Sequence, residues 1–391
     1  MNSNRIDAIQ GLRAIAALLV VVDHAVIVLQ QKANVFTLKE QLAWHLGATG
    51  VWLFFMISGF IMIMSSHDQF GKSDSTRMFL LRRFARIAPL YWIATSVYAV
   101  KLMLAGAAPS VATFMQSLWF LPYRNAQGLT QPILGVGWTL NYEMLFYVLF
   151  AVALRFPFRQ GIPLLLLALI TVSAGGSAIV PLMPSGTVLD AVAFWSDPKL
   201  LLFASGMVLG VVRLQLQKRG GLVLERFAPL LTISLALIVV SSVLMYERPI
   251  SYVVSTAVCF FVVLSCAITT TPATHDLAAG LVTGSSGRSG KTRPTAPPVR
   301  PTADSSRVRR LVVLLGDASY SIYLVHSFVS GPLGRIWARY FQQSPPWIFF
   351  IAMIVASCLA GVATYKYLEK PLTMFFLKKI KSRGRPVSIV Y

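Results

Sequence analysis

Apolar runs, most of them about 18–23 residues long, alternate with polar connections along the chain. Each run has the length needed to cross a hydrocarbon core roughly 30 Å thick. Read in order, they predict helical spans over 7–29, 48–66, 86–105, 137–154, 161–183, 199–213, 228–246, 250–270, 311–329 and 347–368. About ten crossings make an all-α polytopic membrane bundle whose two termini lie on the same side, with residues 1–391 forming a single membrane domain. One stretch breaks the pattern. Residues 283–310, "TGSSGRSGKTRPTAPPVRPTADSSRVRR", carry four prolines among Gly, Ser and Thr and have nothing with which to build a core. A flexible linker between the eighth and ninth helices is expected there, a docking segment being the less favoured alternative. The connection 106–136 is different, because Trp119, Pro122, Tyr123 and Pro132 suit it to lie on the membrane surface or fold back as a lid. No internal repeat of the kind that gives many transporters two related halves is present.

Composition agrees with the pattern: 56% of residues are hydrophobic and 13% charged, where soluble domains carry roughly one quarter charged residues. The net charge of +21 would suit nucleic acid, but its placement points elsewhere. With the N-terminus in the cytoplasm, Lys72, Arg77, Arg82, Arg83, Arg86, Arg155, Arg159, Arg213, Lys218, Arg219 and Arg226 all fall on the inner side. The linker and the tail "KKIKSRGR" add more, while the outer connections hold only scattered charges such as Lys32, Lys39, Arg124 and Arg248. This bias sets orientation in a bilayer, with both termini cytoplasmic, and favours anionic lipid over nucleic acid as a partner. Cys259, Cys266 and Cys358 lie within apolar spans. They suggest no disulfide, and no metal-ligand spacing accompanies them, so no metal site is expected. The first span is too long and too charged for a cleaved leader and is kept as mature structure.

Charge inside the spans is the informative departure, since an Arg or Asp at the centre of an isolated span costs roughly 2.5–3.5 kcal/mol on insertion scales. In "LRAIAALLVVVDHA", Arg13 and His24 are eleven residues apart and therefore share a helix face, separated by about 16 Å. The alternatives are that Arg13 snorkels to inner headgroups and that His24 is an interfacial residue bonded to a carbonyl. Asp23 lies about 100° round the helix and is placed to orient a neighbour or a substrate. In "GVGWTLNYEMLFYVLF", Thr139, Glu143 and Tyr147 form a polar stripe at i, i+4 and i+8 that should face the interior. Arg83 and Arg86 are adjacent on the third span and suit either a phosphate clamp or a positive-inside stop. Ser58 and Gly59 allow close helix approach or a substrate channel. Ser319, Tyr323 and His326, near one face of the ninth span, form a second polar lining or interfacial packing.

Five segments together, "GLRAIAALLVVVDHA", "GVWLFFMISGFIM", "RRFARIAPLYW", "GVGWTLNYEMLFYVLFA" and "LGDASYSIYLVHS", resemble in order those of the acyltransferase-3 family of membrane O-acyltransferases, within it the subgroup of exopolysaccharide-production proteins. The resemblance implies transfer of an acyl group, usually acetyl, from cytoplasmic acyl-coenzyme A to a hydroxyl of a surface glycan or its lipid-linked precursor, in the bacterial inner membrane. The family's arginine–histidine element falls on Arg13 and His24, its arginine pair on Arg83 and Arg86, its serine–glycine–phenylalanine element on Ser58, Gly59 and Phe60, and its tryptophan and acid on Trp138 and Glu143. Trp52 stands where the family commonly has an acid, so any role of that acid is not expected here.

The expected roles follow from this resemblance and from the chemistry. Arg13, Arg83 and Arg86 hold the phosphates of acetyl-CoA. His24 takes the proton from the acceptor hydroxyl, since imidazole titrates nearest neutral pH. Asp23 or Glu143 orients it, with Glu143 favoured because it comes from another helix. Ser58, Trp138, Tyr323 and His326 line the substrate path. Two rival readings stay open: a transporter or flippase for a glycan precursor, and a structural subunit associated with polysaccharide-assembly proteins.

Overall fold

The computed structural model describes residues 7–33, 40–125, 127–184, 186–218 and 303–381, together with Cys259 and Val263; no strand occurs among them. Helix α1 covers Asp7–Ala33, α2 Glu40–Ser66 and α3 Ser75–Leu104. A short α4 at Val111–Leu118 precedes α5 at Trp138–Ala153. Next come α6 at Phe158–Ile170, prolonged through a π-helical turn at Thr171–Gly175, then α7 at Thr187–Trp195 and α8 at Leu201–Lys218. The last part holds α9 at Ala303–Asp317, α10 at Ser319–Tyr340, α11 at Pro346–Thr364 and, after a second π-helical turn at Tyr365–Glu369, α12 at Lys370–Lys381. Helix α3 starts at Ser75 rather than 86 because Arg77, Arg82 and Arg83 end the apolar run without ending the helix, Arg being a good helix former.

Seven helical stretches among the described residues are long and apolar enough to cross a membrane, and α9 with α10, bent by 70°, form an eighth span or a re-entrant pair. Of the ten spans expected, 228–246 and, apart from Cys259 and Val263, 250–270 lie outside the described residues, as do Cys266 and residues 283–302 of the linker. The far end of that linker is corrected: 303–310 are the opening turns of α9. Beyond Pro301 nothing breaks a helix. Arg309 Nε also donates to Asp7 Oδ2 over 2.6 Å, fastening these polar turns to the start of α1.

Two apolar clusters flank α1. On one side Ala16 and Val20 join a large core built from α2, α3, α5 and α8, in which the rings of Phe55 and Phe146 each stack on Phe203 at 4.5 Å. On the other, Ala17, Val21, Ala25 and Leu29 pack on Ile322 of α10 and on Phe349 and Met353 of α11. Lipid tails are as apolar as leucine, so helices in a bilayer gain by close approach rather than by leaving water. Gly59 and Gly206 provide that approach between α2 and α8: a Cβ on Gly59 would collide with the Phe203 carbonyl, and one on Gly206 with the Met56 carbonyl. Wedged between the clusters, α1 carries Arg13 near one end and His24 towards the other.

The connection after α3 folds back on the bundle. Ser117 Oγ meets Tyr123 Oη at 2.9 Å and accepts from the Ile133 backbone N–H, closing the loop on itself. Phe120 adopts φ 58°, unusual for a bulky residue, and in doing so stacks its ring on Tyr91 at 4.8 Å. Trp119 and Leu121 on either side remain exposed.

Candidate functional site

The polar side chains of the spans gather at two places. The first is a cavity of about 90 Å3, room for several waters, between α1, α2, α3, α5 and α10. Arg13, Arg83, Arg86, Ser58 and Glu143 all line it, so the first-span arginine and the arginine pair of α3 face one space. Arg83 Nη2 donates to Ser65 Oγ at 3.2 Å, and Arg13 Nη1 approaches Gln10 Oε1 at 3.5 Å. Among the described residues no carboxylate forms an ion pair with any of the three guanidinium groups. Half-buried guanidinium groups without an ion-pair partner suit this cavity to an anionic ligand.

Glu143 is held inside this cavity, but its hydrogen bonds go to Ser58 and Tyr147 rather than to His24. Ser58 Oγ donates to Oε1 at 3.3 Å and the Tyr147 hydroxyl donates to the same oxygen. The stripe on α5 therefore faces inward and splits its partners: Thr139 Oγ1 meets Tyr323 Oη at 3.0 Å one turn away. The Ser58–Gly59 step serves two neighbours at once, with Ser58 turned to the cavity and Gly59 to α8.

The second place is the His24 end of α1. His24 Nδ1 lies 3.0 Å from the Val20 carbonyl oxygen. A carbonyl only accepts, so Nδ1 carries the hydrogen and Nε2 keeps its lone pair. His326 of α10 stands edge-on to that ring with centroids 4.7 Å apart. Its Nδ1 donates to the Tyr323 carbonyl over 2.6 Å, and its fully buried Nε2 has no hydrogen-bond partner among the described residues. Asp23 Oδ2 is 3.7 Å from His24 Nδ1, beyond a hydrogen bond, and its side chain fills the space left by Gly47 of α2.

Tyr323 separates the two places. Its hydroxyl donates to the Val136 carbonyl over 2.7 Å, its ring meets Phe54 at 5.8 Å and His326 at 6.0 Å, and it lines the cavity that His24 and His326 do not. Trp138 also lies outside the cavity wall, half-buried at the start of α5 against Tyr142. The sequence reading missed Glu369. It is 4% exposed, bonded to Ser321, and within electrostatic reach of Arg86 and Arg13. An acid next to Lys370 at the end of an apolar run looks like a headgroup charge, and only the π-helical turn after α11 shows that it points inward.

Comparison with known proteins gives these places a context. The profile of the acyltransferase-3 family, described as an acyltransferase domain, matches residues 6–366. "Exopolysaccharide production protein ExoZ" of Rhizobium meliloti (strain 1021) is 31% identical over 356 residues, covering 86% of this chain and 93% of that relative. "Acyltransferase MdmB" of Streptomyces mycarofaciens is 26% identical over 427 residues, covering 98% of this chain and 94% of that protein. No solved structure matches the chain. With several helices able to cross a bilayer, a profile match over nearly its whole length and these two relatives, the chain belongs to the acyltransferase-3 family and is a multi-pass membrane acyltransferase.

Proposed function

We propose that the chain moves an acyl group, in the first place acetyl, from acyl-coenzyme A on the cytoplasmic side of the bacterial inner membrane to a hydroxyl of an exopolysaccharide or of its lipid-linked precursor. The observation that carries this reading is the cavity in which three guanidinium groups meet without a carboxylate partner among the described residues. Guanidinium forks match phosphate oxygens two at a time, and coenzyme A presents several phosphates. The acceptor class is supported by the relative named for exopolysaccharide production.

On this reading Arg13, Arg83 and Arg86 bind the donor's phosphates and orient its arm along α1 past Tyr323 towards His24. His24 Nε2 takes the proton of the acceptor hydroxyl as that oxygen bonds to the thioester carbonyl carbon; the carbon–sulfur bond breaks, and the leaving thiolate recovers the proton from the imidazolium. The bond from Nδ1 to the Val20 carbonyl fixes the tautomer that makes this possible. Ser58 and Tyr147 hold the Glu143 carboxylate beside the arginines, where it limits their mutual repulsion. Asp23 balances positive charge on His24 through space.

The test separates binding from chemistry. Full-length His24→Ala, purified in lipid nanodiscs, is expected to bind coenzyme A like the wild type yet transfer no labelled acetyl group from acetyl-CoA to surface glycan. Transfer by His24→Ala, or a wild type that binds no coenzyme A, overturns the proposal.

A further inference from the structure

One buried carboxylate, outside the cavity lining, takes no part in the proposed acyl-transfer step. Glu369 sits on the π-helical turn Tyr365–Glu369, where α11 passes into α12, and is 4% exposed. Ser321 Oγ donates to its Oε2 over 2.6 Å, and Tyr320 beside it and Tyr323 further along α10 both line the cavity. Ser321 is in the first turn of α10, where backbone amides have no helical acceptor and the helix dipole favours an anion. That turn lies at the break where α9 and α10 meet at 70°. The carboxylate is thus anchored by the Ser321 hydroxyl in the first turn of α10 and lies within electrostatic reach of Arg86 and Arg13, without an ion pair to either among the described residues.

We propose that Glu369 is a fixed internal counter-ion of the donor site, which weakens the hold of Arg13 and Arg86 on anionic ligand so that the phosphate-bearing product leaves; this rests on the acyl-coenzyme A reading above. Substrate and product carry the same phosphates, so charge that grips those phosphates binds both alike and does not speed the chemical step. Three guanidinium groups facing the single carboxylate of Glu143 leave the cavity with excess positive charge that would retain free coenzyme A. Glu369 is suited to offset this because its anchor does not depend on the arginines: Ser321 holds it in place whether or not a ligand occupies the cavity. It also stays out of the cavity wall, so it subtracts charge without taking up space. As a positioning and charge-setting residue it acts through the arginines and touches no reacting atom.

The decisive variants are Glu369→Gln and Glu369→Met, which remove the charge with little change in volume, and Glu369→Asp, which keeps it. Dissociation constants for coenzyme A are measured by calorimetry on the full-length purified chain in nanodiscs at low and high salt. Both neutral variants are expected to bind about three- to tenfold tighter at low salt, as for removal of a unit charge that acts on the phosphates through protein, with a steeper salt dependence. Glu369→Asp should stay within about twofold of wild type, since the charge it keeps still acts on the phosphates at this range. A purely structural role cannot tighten binding, so equal or weaker binding by folded neutral variants overturns the proposal. Loss of folded protein in both neutral variants also overturns it, because Glu369 is then a packing residue. If wild type and every variant fail to bind coenzyme A, the donor reading itself has failed, which is a different result from normal wild-type binding with no gain in the neutral variants.

Discussion

Arg86 is the single side chain on which the proposed donor site is most readily tested. It lines the cavity and, among the described residues, makes neither a hydrogen bond nor an ion pair there, so its guanidinium is available to a ligand. A charge-assisted hydrogen bond contributes about 1.5–3 kcal/mol. If Arg86 holds the donor as proposed, Arg86→Gln should raise the KM for acetyl-CoA by about tenfold or more, while kcat, which the proposal assigns to His24 at the other end of α1, changes less. Steady-state kinetics on purified protein checks this, and an unchanged KM would remove Arg86 from the donor site. At this scale much was legible in the sequence. Helical spacing puts Arg13 and His24 on one face of α1, and the stripe on α5 faces inward as its period requires. What spacing does not give is the partner across the interface, and so Glu143 was expected beside His24 when its carboxylate is held by Ser58 and Tyr147. Glu369 escaped notice for a related reason: its depth depends on a π-helical turn that no apolar period encodes.

Helices in this protein are fixed to each other where side chains are missing. The α2–α8 contact passes through Gly59, Gly206 and Gly210, the last lying against Ile63. The same contact keeps α2 in the position from which Ser58 reaches Glu143. Gly206→Leu should separate the two helices, lower stability by about 1–3 kcal/mol or more, and reduce donor binding through the loss of the Ser58 contact. Thermal unfolding in detergent, followed by coenzyme A binding on the folded fraction, measures both; a variant with wild-type stability would show that the two backbones have room to part. Element boundaries were less legible than element existence. The polar residues at the start of α3 and α9 read as connections because an apolar period marks the lipid-facing part of a helix, whereas backbone hydrogen bonding continues through Arg83 and Arg309. The 70° break between α9 and α10 was likewise hidden inside what reads as one apolar span.

The molecule as a whole is a bundle in which α1 is gripped from both sides, so that a charged face survives inside a membrane-spanning structure. Composition and run length alone gave the membrane class and the helical architecture, because nothing but closed hydrogen bonding within helices or barrels is stable in hydrocarbon. The proposed function is placed around α1: a basic cavity at one end, an imidazole pair at the other, and Tyr323 between them. The central claim is that this arrangement acylates a glycan instead of exporting it. Proton NMR of surface glycan from cells lacking the protein, compared with cells complemented by wild type or His24→Ala, tests that claim most directly. O-acyl signals are expected to vanish without the protein, return with wild type and stay absent with His24→Ala, while the amount and chain length of glycan are unchanged. Unaltered O-acyl content accompanied by a loss of exported glycan would contradict it.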